Sequence, residues 1–227
     1  MPKTSIIEVC LLIYQRPHRF PEILEQLKAQ TIQNFRVNIW NNSREKLDIS
    51  GFPEDRIMLI NSEKNVGSQA RYKLAKQTTG NPIIFFDDDK NLNPNFVEYH
   101  YDQYLKFGPN YLLGEHTRIF KGERYWASGR ASYGQEVDYV ATLVLDRKII
   151  DEEPLLLDIP EPFTKVEDLY LCYLARTKYG MKIVKIDPAF HDIVDGKDQF
   201  LQLKEYKEIA FKELRKMGWK LLRDRHE

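Results

Sequence analysis

Four short apolar runs, at residues 6–13, 35–40, 57–60 and 82–86, constrain this chain more than any other feature. Each is rich in β-branched or aromatic residues and is closed by turn residues, the mark of a buried strand. Helix-period stretches lie between them. Phe20, Ile23, Leu24 and Leu27 form one apolar stripe, and Ala70, Leu74 and Ala75 begin another after a capping candidate at Ser68. Strand and helix therefore alternate through the first ninety or so residues, which implies right-handed βαβ crossovers and a mostly parallel sheet flanked by helices. In such open α/β sheets ligands bind beyond the carboxyl ends of the strands, so the loops after each strand are where function is expected.

Further along, residues 121–135 are rich in Gly, Ser, Arg and aromatics without a clear period, and read as a functional loop or flap. A strand is expected at 139–145, a loop at 154–162, a helix at 167–179 stopped by Gly180, and a short strand at 183–186. From Phe200 onward, Leu203, Tyr206, Ala210, Leu214, Met217 and Leu221 recur at three- and four-residue steps, giving one long amphipathic helix. Its apolar face is expected to pack on the body of the domain rather than on a membrane. The organisation that follows is one α/β domain over 1–197 with a helical extension, 198–227, packed on it.

Composition excludes several classes. The 227 residues carry 34 Lys+Arg against 34 Asp+Glu, so there is no global field to attract nucleic acid or an anionic membrane. The longest apolar stretches fall far short of the roughly 20 residues that span a bilayer. The first residues lack the basic start and long apolar run of a signal peptide. Cys10 and Cys172 lie in apolar runs without metal-ligand spacing, which argues against a zinc site or a disulfide framework. A reduced, cytoplasmic protein is expected.

The strongest local signal is Ile83-Ile84-Phe85-Phe86-Asp87-Asp88-Asp89. Three carboxylates ending a buried strand repel one another unless something offsets their charge, and a hard dication such as Mg²⁺ or Mn²⁺ would do so. The other reading is a solvated acidic turn. Upstream, Asn65-Val66-Gly67-Ser68-Gln69-Ala70-Arg71 places a glycine before a helix start with a cation one turn inside. It suits a phosphate or nucleotide, or else a plain cap with a solvent-facing Arg71. No dinucleotide or P-loop fingerprint is present. Glu167-Asp168 opens a helix, either as a capping pair or as a general base for an acceptor hydroxyl. His191, beside Asp192, reads as a metal ligand, a phosphate donor or a structural histidine. Trp126 reads either as core or as an aromatic platform for an acceptor sugar.

Taken in order, residues 9–16, 40–43, 65–71, 85–89 and Glu167-Asp168 resemble the GT-A glycosyltransferases of the family 2 type, over residues 6–186. The turn Leu11-Leu12-Ile13-Tyr14-Gln15-Arg16-Pro17 and the passage Leu27-Lys28-Ala29-Gln30-Thr31 to Phe35 are similar to that family as well. The resemblance implies a nucleotide-diphosphate sugar donor, with UDP the expected nucleotide, a divalent metal, a glycan or other hydroxyl acceptor, and inversion at the anomeric carbon. It implies that Tyr14 stacks near the base, that Arg71 lies near the nucleotide, and that Arg16, Asn41, Asn42, Gly67, Asp87 and Asp88 complete the donor site, Asp87 at the ribose. Asp89, with Asp87, would hold the metal, and His191 is a further candidate ligand. Asp168 would be the base, with Glu167 supporting it or contacting the acceptor. One departure is Asn41-Asn42-Ser43, where the family usually has an acidic residue that helps read the base. An amide donates as well as accepts, which leaves the base preference open. The expected activity is transfer of a single sugar. A sugar nucleotidyltransferase is the rival enzyme, although residues 11–17 lack the glycine-rich basic loop that would hold a triphosphate. A non-catalytic sugar-nucleotide or glycan binding module is the rival outside enzymes.

Overall fold

The computed structural model describes residues 6–196 and 202–226. Strands β1 (Ile7–Ile13), β2 (Phe35–Asn41), β3 (Ile57–Asn61) and β4 (Ile83–Asp87) pair in parallel in the order β3-β2-β1-β4. Helix α1 (Phe20–Lys28) joins β1 to β2, and α2 (Ala70–Lys76) precedes β4. The order reverses at β1: its successor lies on one side and β4 on the other. That reversal opens a crevice at the carboxyl ends of β1 and β4.

Every residue of β1 is buried, because both faces of the sheet are covered. Val9, Leu11 and Ile13 pack with Phe20, Ile23, Leu24 and Leu27 of α1. Cys10 faces the opposite cluster, with Tyr72, Leu74 and Ala75 of α2. The alternation of β4 is the same, Ile84 and Phe86 on the first face and Ile83 and Phe85 on the second. Glu8 is the polar exception. It is buried, and its carboxylate accepts from Asn38 Nδ2 at 2.8 Å and from the Gly80 amide at 2.7 Å. Cys10 and Cys172 are free and buried, and burial raises both thiol pKa values.

After β4 the chain forms β5 (Lys90–Leu92), α3 (Phe96–Phe107), β6 (Tyr111–Phe120), the two-residue β7 (Ser128–Gly129), β8 (Tyr139–Leu145), α4 (Arg147–Glu152), α5 (Glu167–Thr177), β9 (Lys182–Lys185), β10 (Phe190–Asp192) and α6 (Lys204–Lys216). Strand β8 extends the main sheet antiparallel to β4, β6 pairs antiparallel with β8, and β9 pairs parallel with β6. Strands β5 and β10 make a separate antiparallel pair. Neither α3 nor β6 is marked by the sequence reading. Polar and aromatic residues dilute the stripe of α3, and β6 carries a buried Glu115 that meets His100 of α3 rather than an apolar residue.

The C-terminal helix is shorter than its stripe suggests. It begins at Lys204, with Phe200 outside the described residues, and ends at Lys216. Gly218 (φ +92°) turns the chain, so Leu221 reaches the core from beyond the helix, while Met217 is exposed. Ala210 and Leu214 are buried as expected. The larger contribution is Phe211, whose ring meets Phe120 (centroids 4.6 Å apart) and Trp219 (6.1 Å). The tail is tied down by the buried carboxylate of Asp138, which accepts from the amides of Phe120 at 2.9 Å and Leu222 at 2.7 Å.

Candidate active site

A cleft of about 650 Å³ lies at the carboxyl ends of β1 and β4. Ten of the residues singled out from sequence line it: Tyr14, Arg16, Asn42, Gly67, Arg71, Asp87, Asp88, Asp89, Glu167 and Asp168. Its far wall comes from the segment before α5, from Leu203 just ahead of α6, and from Lys207 of α6.

The three aspartates have different surroundings. Asp88 is buried, and its Oδ2 accepts from the amides of Tyr14 at 2.8 Å and Arg16 at 3.1 Å. The Arg16 guanidinium adds a contact to Oδ1 at 3.3 Å and binds Asp195 with two nitrogens, at 2.7 and 2.9 Å. Asp88 thus fixes the turn after β1, leaving the half-exposed Tyr14 ring at the cleft. Arg19, also buried, donates to the Asp88 carbonyl at 2.7 Å. Asp87 projects from the end of β4 and accepts from Arg71 at 3.0 Å. Asp89 is partly exposed, with Lys90 Nζ 3.1 Å from its Oδ1, and its burial raises its pKa despite that cation.

Arg71 joins the two acidic groups. It is buried rather than solvent-facing, and bridges Asp87 of β4 to Glu167 of α5, with Nε 3.3 Å from Glu167 Oε1. Ser68 Oγ donates to the other Glu167 oxygen, and Tyr72 Oη donates to the Glu167 carbonyl at 3.3 Å. Burial pushes the Glu167 carboxyl up to about 7, against the opposing pull of Arg71. Asp168, half-buried, accepts from the Tyr139 hydroxyl through Oδ2 and from the Leu169 amide at 2.7 Å through Oδ1. Among the described residues no lysine or arginine is ion-paired with it. Gly67 (φ +80°) shapes the loop entering α2, a backbone conformation that side chains disfavour.

Residues 8–154 match the family model described as "Glycosyl transferase family 2", well over half of the chain. The chain belongs to glycosyl transferase family 2. Its fold is that of the GT-A enzymes: crystal structures of TarS from S. aureus superpose with TM-scores of 0.63, for a complex with UDP, and 0.66, for a complex with UDP-GlcNAc. These superpositions cover 97% of this chain and 68% of those chains, at 15% and 14% identity. The uncharacterized glycosyltransferase YwdF of Bacillus subtilis (strain 168) is 32% identical over 95 residues, 40% of this chain and 35% of that relative. The match therefore spans about a third of that relative's length. Glu167 and Asp168 lie beyond the residues that the family model covers.

Three sequence candidates stand apart from the family 2 cleft. Asn41 ties the loop after β2 to the end of β3, its amide donating to Glu45 O at 2.8 Å and Asn61 Oδ1 at 3.0 Å. Asn42 does line the cleft, but its amide ties β2 to the glycine loop, donating to Gly67 O and accepting from the Val66 amide. His191 is exposed on β10, opposite Asn91. Trp126, half-buried against Tyr125, lines a neighbouring pocket of about 360 Å³ with Arg124, Ala127 and Lys204. Lys204 and Lys207 are one turn apart on α6, so this pocket adjoins the cleft across that turn.

The sequence reading missed Arg19, Lys90, Tyr139, Asp195 and Lys207. Lys90 alone had a visible signal, following directly on three acids. Arg19, Tyr139 and Asp195 act through pairings between segments distant in sequence, and Lys207 lines the cleft from a helix distant in sequence from the other walls. Among the described residues, no group of three or more His, Cys, Asp and Glu side chains is arranged to enclose a metal. Also among them, no helix is long and apolar enough to cross a membrane.

Proposed function

We propose that this protein is an inverting glycosyltransferase that moves a single sugar from a nucleotide-diphosphate sugar, with UDP the favoured nucleotide, to an acceptor hydroxyl. The observation that carries the reading is the juxtaposition, in one cleft, of a strand-end carboxylate pair with Asp168, the buried Arg71 tying Asp87 of that pair to Glu167, the residue before Asp168. The UDP and UDP-GlcNAc held by the structurally similar TarS chains support the donor class.

Asp87 and Asp89 suit a divalent cation in kind. Both offer hard carboxylate oxygens at a strand end, and Mg²⁺ or Mn²⁺ is commonly held by one or two carboxylates with substrate phosphates supplying the rest. When bound, such an ion would stabilise the charge on the departing diphosphate. The remaining steps belong to the protein. Tyr14 presents its ring to the base, on a turn that Asp88 holds rigid. Arg71 keeps the strand end and the start of α5 in register. Asp168, oriented by the Tyr139 hydroxyl, takes the acceptor proton as the acceptor oxygen attacks the anomeric carbon from the face opposite the nucleotide. One such displacement inverts the configuration. The acceptor extends over the α6 wall toward Trp126, whose ring suits the apolar face of a pyranose.

A thermal-shift screen of nucleotide sugars with and without Mn²⁺ tests the donor reading, followed by NMR of the product's anomeric configuration. Metal-dependent stabilisation by a UDP-sugar and an inverted product are expected. Failure of every nucleotide sugar to stabilise the protein, or a retained configuration, overturns it.

A further inference from the structure

The Lys90 side chain is only 7% exposed, and its ammonium lies between two carboxylates, 3.1 Å from Asp89 Oδ1 and 2.5 Å from Asp192 Oδ1. Backbone pairing enforces this arrangement, since Lys90 of β5 stands directly opposite Asp192 of β10. The Phe190 ring lies under the ammonium at 5.1 Å, and Arg19 donates to the Lys90 carbonyl at 3.3 Å. A lysine this buried is held by its counter-ions, because an ammonium without them would favour losing its proton or reaching solvent. The two carboxylates are not equivalent. Asp89 faces the cleft, whereas Asp192 is nearly half-exposed and has a second basic neighbour, His116, at 3.4 Å.

We propose that Lys90 is the resident counter-cation of Asp89 as well as of Asp192, and that a divalent cation engages Asp89 by breaking that contact and leaving the ammonium on Asp192 alone. The inference rests on the reading of Asp89 as a metal ligand. A dication and an ammonium on one carboxylate repel each other, and in a partly dry cleft that repulsion is screened less than in water. Asp192, already the nearer of the two carboxylates, keeps the ammonium paired once Asp89 is taken, so it need not cross into solvent. Lys90 thereby holds metal affinity low until nucleotide phosphates add their own negative charge. The three residues make Asp89 a gated ligand.

The test is Mn²⁺ binding followed by EPR of the free ion, with and without UDP, in the wild type and in Lys90→Met, Asp192→Asn and Asp89→Asn. Lys90→Met should lower the Mn²⁺ Kd about tenfold or more, with the largest change when UDP is absent. Asp192→Asn should raise it several-fold, because the ammonium loses its alternative partner. A folded Lys90→Met protein with unchanged or weaker affinity overturns the proposal. Should that variant fail to fold, unchanged affinity in Asp192→Asn overturns it instead. Wild-type affinity in Asp89→Asn shows that the metal reading itself is wrong. UDP binding that ignores Mn²⁺ but collapses in Lys90→Met shows that the ammonium contacts the diphosphate directly, which also contradicts displacement.

Discussion

The two acidic groups of the cleft share a design and differ in compensation. In each, one carboxylate is buried and occupied: Asp88 by two backbone amides and Arg16, Glu167 by Arg71 and Ser68. In each, the neighbouring carboxylate, Asp89 or Asp168, is partly exposed on the cleft wall. The cations are divided unequally. Arg16, Arg19, Arg71 and Lys90 surround the Asp87–Asp88–Asp89 run, whereas Glu167 and Asp168 have Arg71 and three hydroxyls, from Ser68, Tyr72 and Tyr139. Those cations let the strand-end group tolerate further negative charge, which fits the nucleotide diphosphate of the proposed function. The helix-start group is left electron-rich and poorly compensated, which suits the removal of a proton.

The comparison breaks first on stability. Asp88→Ala should lower unfolding free energy by about 2–4 kcal/mol in urea titrations, since it leaves the amides of Tyr14 and Arg16 without their acceptor and takes one of the two carboxylates from the Arg16 guanidinium. A loss below about 1 kcal/mol would mean that Asp88 is not a structural member of its group.

A smaller effect concerns pH. Glu167 is raised from an ordinary 4.5 to about 7 by burial, so between those values the folded state holds a proton that the unfolded state has released. Its contribution is fully present below pH 4.5 and is lost as pH rises toward 7. Thermal melts of Glu167→Gln across that window should decline less steeply with pH than the wild type. Parallel curves would show that Glu167 titrates normally. The smallest effect is at the rim: Trp126→Ala should raise acceptor KM roughly threefold to tenfold with donor affinity unchanged, in line with the modest value of one aromatic contact. Equal losses for donor and acceptor would assign Trp126 to the core instead.

What the sequence revealed follows the range over which each signal acts. The four parallel strands and the acids ending β4 were legible because a buried strand and its terminal turn are local patterns, and observed bounds differ by a residue or so. The Arg71 bridge was not legible. Its local reading as a solvent-facing cap is reversed by Glu167, brought to it from a distant helix. Tyr139 looked like one more residue of β8 until the sheet order set β8 beside β4, with α5 packed near it. The Lys90–Asp192 pair depends on strands of three residues each, too short for any period to show. The C-terminal stripe was over-extended because Met217 and Leu221 continue the spacing past Gly218, where the helix has already ended. Asn41 and Asn42 were expected to complete the donor site; Asn42 does line the cleft, and the side-chain amides of both tie neighbouring segments together.

The central claim is that the cleft separates charge stabilisation at Asp87 and Asp89 from proton removal at Asp168. Turnover of Asp168→Asn at saturating donor and acceptor tests it most directly, because the amide keeps the shape and can still accept from Tyr139 while losing basicity. The account predicts a fall in kcat of about a hundredfold to ten-thousandfold, with nucleotide-sugar affinity and melting temperature close to wild type. Near-normal turnover would contradict it, and would make Asp168 no more than the first turn of α5.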